Sequence, residues 1–442
     1  MKEGSNTFSN LGFILATAGS AVGLGNVIRF PYIVGDSGGG AFFAIYLMTI
    51  LFIGASVMLT EMVIGYKGVA GAATSFEKLA IKSNAVWKNI GWVMSASSNI
   101  IFSYYVILLA WIMGYIWMSI SGSLAHDPEA AKAIFTDIQT NVGQTILLSG
   151  LILAAVFLIV ARGITNGIEK INLILMPLIL FIFTGMLLYA LTLDGFSKAF
   201  VFMFHIDFSA ITTHVVISAV GMSFFTLSLG SAIVLSYSAS LPKGSNLVKS
   251  IGYVVLLDTS IAIVSGLMIF SFVFTYGGDP SAGFGLVFIT LGTVFSNLGV
   301  MGHVLGVIFF SALLFAGLTS AVSMIEPMLK SVHIRFNITR YKAALALAIP
   351  TAIVSIAIIF SLGGYFGDLN LMDKLDYILS NILLPLGGLG TTVFVGWFMH
   401  KSTVLEAVDN KLGIFFELWY VIVKYIAPVL IVIVMLTLLG IL

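Results

Sequence analysis

Residues 18–32 read AGSAVGLGNVIRFPY. They sit inside an apolar stretch long enough to cross a bilayer, yet they include Gly19, Gly23 and Gly25, then Asn26, Arg29 and Pro31. A broken helix in lipid leaves backbone N–H and C=O groups unpaired, and each costs several kcal/mol unless it faces protein, water or a ligand. Freed carbonyls suit a hard cation such as Na+. Freed N–H groups at the start of a half-helix suit a carboxylate, helped by the helix dipole. One break can therefore hold a sodium ion and the carboxyl end of an amino acid together. Gly23 and Gly25 permit the unwound backbone and a close ligand approach. The competing reading is that the glycines serve tight helix packing. The polar residues that follow at once, and a second break further on, favour the binding site.

That second break is TLSLGS, residues 226–231, in the sixth apolar run. The two breaks lie five runs apart. A matching pair of interrupted segments points to an inverted-repeat transporter with its site at the membrane midplane. Composition agrees. Hydrophobic residues make up 59% of the 442 residues and charged residues 9%, against roughly 25% charged in a soluble domain. The apolar runs are continuous and of membrane length, about 20 residues. They do not alternate with period two, which excludes an outer-membrane barrel. Zero cysteines removes disulfides, thiolate metal sites and cysteine nucleophiles. A net charge of +1 gives no sign of a nucleic-acid partner. Lys2 and Glu3 precede the first apolar run, and no small-residue cleavage site follows it, so no cleavable signal is expected.

Eleven spans are predicted, at about 11–34, 41–66, 88–121, 145–161, 167–192, 212–240, 248–276, 302–332, 342–362, 377–400 and 415–442. With the N-terminus inside, 15 of the 20 Lys and Arg residues fall in cytoplasmic segments, from Lys2 to Lys411, while only Lys132, Lys198 and Lys374 fall outside. Positive charge marks the cytoplasmic side. The C-terminus is then outside, in the cell membrane. The chain reads as one transmembrane domain over 1–442, with a first repeat at about 11–192, a second at about 212–400 and an extra helix at about 415–442. Residues 277–301 are semi-apolar and glycine-rich, and read as a re-entrant or lid-like loop.

The motifs GSAVGLGNVIRFPY (19–32), GGGAFFAIY (38–46), FFTLSLG (224–230) and FAGLTSAVSMIEP (315–327) occur in this order. In them the chain resembles the neurotransmitter:sodium symporter family, bacterial branch, over nearly its whole length. The resemblance implies an all-α polytopic protein of leucine-transporter type, with a 5+5 inverted repeat and unwound helices 1 and 6. It implies a first sodium held by the Ala21 carbonyl, Asn26, Thr226, Asp258 and the substrate carboxylate. A second would be held by the carbonyls of Gly19, Val22 and Ala316 with the hydroxyls of Thr319 and Ser320. Oxygen-only ligation suits a hard cation. The alternative for the two hydroxyls is back-bonding within their own helix. The substrate carboxylate would meet Na+, the Gly25 N–H and the Tyr105 hydroxyl, and its ammonium the carbonyls of Ala21, Phe225 and Thr226, with Ser228 near. Tyr105 lies mid-span, which disfavours the alternative of an interfacial anchor.

Monoamine members of the family carry an acid where this chain has Gly23. Its substrate should therefore bring its own carboxylate. The side-chain pocket is implied to include Ser20, Ile101, Phe225, Ser231, Ser320 and Met324. Ser231 replaces a bulky aromatic, so a large hydrophobic or aromatic amino acid is expected. Arg29 and Asp376 match an outer gate pair, with Phe225 as a lid between gate and substrate; for Asp376 plain solvation is the alternative. Chloride-dependent relatives surround an anion with neutral polar groups. Here Met222 and Ala262 are poor anion ligands, Tyr46 is retained, and Asp258 supplies negative charge beside Na+. Chloride-independent transport is expected, with proton movement on the empty return left open. Glu61 reads as a structural acid bonding backbone near the first break. GIEKINLILMP (167–177) matches a family element whose unwinding between Gly167 and Pro177 admits water to the second sodium; an ordinary proline kink is the alternative.

Two features depart from the family. The tail KEGSNTFSN has neither the Arg nor the Trp of the usual inner gate, although Phe8 offers an aromatic, and the eighth-span acid is replaced by Ile334. The twelfth span of many relatives is also missing, and with it the expected dimer contact. The overall expectation is a two-sodium amino-acid symporter working by alternating access, not an enzyme. The alternative is an amino-acid sensor on the same fold that does not transport; a channel or an intramembrane hydrolase fits less well. The six histidines (126, 205, 214, 303, 333, 400) lie in loops or near span ends and make no catalytic set.

Overall fold

A computed structural model describes residues 7–82, 85–281, 283, 285–408, 413 and 415–441. Lys2 and Lys411 of the charge tally, tail residues 2–6, and positions 282 and 284 of the glycine-rich loop lie outside the described residues. Among the described residues every regular element is helical. Nine helices among the described residues are long and apolar enough to cross a membrane, and a tenth if the bent pair Asn10–Ala21 and Gly25–Asp36 is one span. The nine are Gly40–Gly68, Ala85–Ser121, Val142–Ala161, Ile164–Ala190, Leu247–Thr275, Gly299–Phe336, Arg340–Leu362, Leu371–Phe398 and Phe415–Leu438. Between Ile164–Ala190 and Leu247–Thr275 lies a second interrupted pair, Thr213–Thr226 and Ile233–Ser238. Counted in chain order, these are the first to eleventh segments.

Burial sorts them into layers. The third and eighth helices, Ala85–Ser121 and Gly299–Phe336, have 72% and 61% of their most apolar stretch inside the protein, against 22% for Phe415–Leu438. The apolar surface left outside, such as Leu147, Phe181 and Ile353, faces lipid, where it carries no hydrophobic cost. The broken first segment packs on the fifth, seventh and eighth segments, and the broken sixth on the second and eighth.

The first break follows from its sequence. Ser9 caps Asn10–Ala21, its side chain accepting from the Gly12 N–H. The helix stops at Val22, whose ψ of 85° turns its carbonyl out of the helical direction. Helix resumes at Gly25, bent by 47°. At the second break Ser228, Gly230 and Ala232 all have positive φ (53°, 77° and 60°). Two of these are not glycine. Such backbone is uncommon, and strain of this kind gathers at functional sites. The glycine-rich loop turns out to carry a short helix, Leu286–Asn297. It is pinned by Phe288 on Tyr115 and Phe135, at 5.0 and 5.1 Å between ring centroids. The Pro280 carbonyl stands close over Gly35 of the first segment. This loop is a packed cover over the Gly35 end of the first segment.

Candidate functional site

Asn26, Thr226 and Asp258 come from three segments and meet in full burial. The Asn26 amide donates to the Asp258 carboxylate at 2.8 Å and to the Asp258 carbonyl at 3.0 Å. The Thr226 hydroxyl lies 2.7 Å from Asn26 Oδ1 and 2.8 Å from Asp258 Oδ1. A hydroxyl has one proton and cannot serve both acceptors at once. The excess of oxygen over donors is what a cation would satisfy. Tyr46 donates to the other carboxylate oxygen at 3.3 Å, and Ser265 holds the Asn26 carbonyl at 2.7 Å. Met222 and Ala262 are buried and offer no hydrogen-bonding group.

Of the residues expected at the second sodium, Gly19, Ala316, Thr319 and Ser320 come together. Ser320 donates across segments to the Gly19 carbonyl at 3.1 Å and the Ser20 carbonyl at 3.3 Å. Thr319 back-bonds to the Ala316 carbonyl at 2.8 Å, so for Thr319 the in-helix alternative also holds. Both partners of that bond are in the expected set. A Cβ on Gly19 would stand 3.1 Å from Thr319 Cβ, so the first and eighth helices touch here without room for a side chain. Val22 is fully buried.

Beside these clusters is a cavity of about 460 Å3, within the range of about 300–1,000 Å3 usual for small-molecule sites. Ser20, Ala21, Gly23 and Gly25 line it from the first break, and Ile101 and Tyr105 from the third segment. Phe225, Ser228 and Ser231 line it from the second break, and Ser320 and Met324 from the eighth segment. The Thr226 side chain, expected at the first sodium, is turned toward Asn26 and Asp258. Tyr105 accepts from the Leu24 N–H at 3.3 Å, placing its hydroxyl at the first break. Serines make the floor: Ser228 bonds the Ser20 carbonyl at 3.2 Å, Ser231 the Ser228 carbonyl at 2.5 Å, and Ser323 the Ser20 hydroxyl at 2.9 Å. Ser323 was not legible as a site residue. Its place three residues after Ser320 on the same helix face was the available signal.

Arg29 and Asp376 both border the cavity, but they do not pair. Arg29 lies over the Phe225 ring at 4.1 Å. Asp376 accepts from Tyr104 at 2.9 Å and Ser380 at 3.0 Å. Tyr104, the neighbour of Tyr105 in FSYY, was missed. Glu61 corrects another expectation. It bonds the Gly230 N–H at 2.7 Å, so it props the second break and not the first. The Gly167–Pro177 element is wound: Ile164–Glu169 has wide turns and Lys170–Ala190 continues through Pro177 as α-helix.

At the opposite end Phe8 is buried. It packs edge-on against Phe13 and Tyr237, at 6.0 and 5.3 Å, and its N–H bonds the Ser240 carbonyl at 2.9 Å. Glu169 of the fifth segment grips Ser9 through both its hydroxyl and its N–H. Ile334 takes no part in this closure. One turn earlier, buried Lys330 donates to the Ser236 carbonyl at 3.0 Å and the Ser240 hydroxyl at 2.8 Å. Glu326 and Arg340 form an ion pair beside it.

Two broken helices around a buried cavity flanked by oxygen clusters define a secondary membrane transporter. The chain belongs to the sodium:neurotransmitter symporter family, whose profile matches residues 5–141 and 129–441. It is similar to the uncharacterized sodium-dependent transporter YhdH of Bacillus subtilis, 34% identical over 98% of this chain and 97% of that one. It is also similar to the uncharacterized sodium-dependent transporter MJ1319 of Methanocaldococcus jannaschii, 34% identical over 95% and 87%. Among solved structures, MhsT in complex with L-phenylalanine matches with a TM-score of 0.88 and 36% identity, over 97% of this chain and 98% of that one. The protein is thus a sodium-dependent, multi-pass membrane transporter of the leucine-transporter fold, and not an enzyme.

Proposed function

We propose that the protein is a symporter coupling two sodium ions to uptake of one large hydrophobic or aromatic amino acid, without chloride. The observation that carries this is the meeting of both helix breaks at one cavity, with the Asn26–Thr226–Asp258 cluster against its side. The substrate carboxylate would complete the first sodium's oxygen set, so ion and amino acid bind together. Gly23 leaves no acid for an amine-only substrate. The serine floor and Met324 leave space for a bulky side chain, and Met adapts to its shape. The neighbour MhsT is named in complex with L-phenylalanine, which supports the aromatic class. Asp258 brings the negative charge that chloride supplies elsewhere.

In this reading eleven segments span the membrane, with the N-terminus in the cytoplasm. The cavity then opens outward past the unpaired Arg29 and Asp376, while Phe8 closes the cytoplasmic side. The test is binding of each of the twenty amino acids to purified protein, in Na+ and in K+, with chloride and with gluconate. Tight binding of an aromatic or large aliphatic set, in Na+ only and equal in both anions, is expected. Binding that ignores Na+ would overturn coupling and favour a sensor. A chloride requirement would overturn the role given to Asp258.

A further inference from the structure

Asn172 lies midway between Gly167 and Pro177, near the start of the fifth segment's α-helix, and is fully buried. Its amide nitrogen donates to the Ile168 carbonyl at 2.8 Å. That bond fixes which way the carboxamide points. Oδ1 therefore faces the first segment. A Cβ placed on Gly19 would fall 2.3 Å from Asn172 Oδ1, 3.1 Å from Thr319 Cβ and 3.3 Å from Met176 Sδ. The amide oxygen thus borders the same small space as Gly19 and Thr319, two residues of the second sodium's expected set.

Asn172 Oδ1 has no hydrogen-bond partner among the described residues. A buried polar atom left unsatisfied costs ~1–3 kcal/mol. The nearby hydroxyls are committed: Thr319 donates to Ala316 and Ser320 to Gly19 and Ser20. An apolar side chain would fill the space without that cost. A buried carboxamide oxygen facing the space between Gly19 and Thr319 suits a hard cation.

We propose that Asn172 gives the second sodium an additional oxygen and so ties that ion to the Gly167–Pro177 segment. The inference rests on the two-sodium reading and deepens it. One carboxamide then does two things. Its oxygen holds the ion, and its NH2 cross-links the helix at Ile168. Pro177 has no N–H to offer the Leu173 carbonyl, so this stretch is already short of a backbone bond. With the ion bound, the wound form is satisfied. When the ion leaves, the orphaned oxygen favours unwinding, which opens water's path and prevents the ion's return.

The test uses the purified full-length chain. Na+ is titrated into a K+ background and two signals are followed: the thermal shift, and hydrogen exchange of amides 164–173. Asn172→Ala should raise the half-effective Na+ concentration by about tenfold or more, as loss of a supporting ligand typically does. It should also abolish Na+-dependent protection of those amides. Asn172→Asp keeps an oxygen but loses the NH2, and should titrate close to the wild type. Asn172→Leu, of similar size, replaces the alanine variant if that fails to fold. An apolar variant that titrates like the wild type overturns the proposal. So does equal weakening in the apolar and aspartate variants, which would mark a structural amide acting through Ile168. A wild type indifferent to Na+ would instead overturn the sodium reading beneath it.

Discussion

Gly23 lacks a side chain because its place is taken: a Cβ there would stand 2.4 Å from the Ser320 hydroxyl and 3.0 Å from the Tyr105 hydroxyl. An acid at this position would displace both and repel the substrate's carboxylate. Gly23→Asp is expected to weaken amino-acid binding at saturating Na+ by well over tenfold, within the reach of one misplaced buried charge at about 3–5 kcal/mol; isothermal titration would read it. Asp258 supports a second prediction. Its carboxylate accepts from Asn26, Thr226 and Tyr46, beside positions whose side chains cannot hold an anion. Asp258→Asn keeps most of that geometry and removes the charge. Binding should fall by about 5–150-fold, to the same level in gluconate and in chloride, because the site cannot hold an anion in the charge's place; an unchanged affinity would count against the charge argument. At this scale the motif residues were legible, because carbonyls at a break and hydroxyls on a facing helix are written locally. The partners that hold them were not. Tyr104 reaches Asp376, Ser323 reaches Ser20 and Asn172 reaches Gly19 across 150 residues or more of chain, and only packing decides such pairs.

The elements repeat that division. Hydropathy located the helices to within a few residues, because lipid demands continuous apolar runs. It could not show that the sixth segment's second half is only Ile233–Ser238, nor that residues 286–297 fold as a covering helix, since both depend on what they pack against. Glu61 was assigned to the wrong break for the same reason: its helix packs on Ile233–Ser238, and the Gly230 N–H is the donor it meets. The Phe8 end is the clearest case. With no Arg or Trp in the tail, closure looked unexplained, yet Phe8 fills the gap against Tyr237 and Phe13, and Glu169 clamps Ser9. Phe8→Ala should loosen this end, since removing a buried phenylalanine costs about 3–5 kcal/mol of the packed state. The chain has no cysteine, so one introduced at buried Ser236 is a clean reporter. Its alkylation should rise several-fold in Phe8→Ala. An unchanged rate would mean that Lys330, bound to Ser236 and Ser240, closes this end by itself.

At the scale of the whole molecule, the two ends are in opposite conditions. On one side Arg29 rests on Phe225 and Asp376 is occupied by Tyr104 and Ser380, so the expected gate pair is unmade and the cavity reaches past it. On the other side the tail is packed and the fifth segment is wound. Alternating access requires these conditions to be exclusive, and an ion can enforce that only by binding one arrangement better than the other. The second sodium's expected ligands come from the first and eighth segments, which meet at Gly19 and Thr319, so bound Na+ should favour the arrangement in which they touch. For the cysteine at position 236, Na+ alone should slow labelling relative to K+. A tenfold slowing corresponds to about 1.4 kcal/mol of differential binding. Adding amino acid should bring Arg29 off Phe225 and onto Asp376. Tyr104→Phe frees Asp376 of a competing donor and should make that closure easier, seen as slower release of bound amino acid at fixed Na+. If Na+ leaves labelling at position 236 unchanged while substrate still binds, the ion acts only at the first site, and the coupling between the two ends has to run through the substrate.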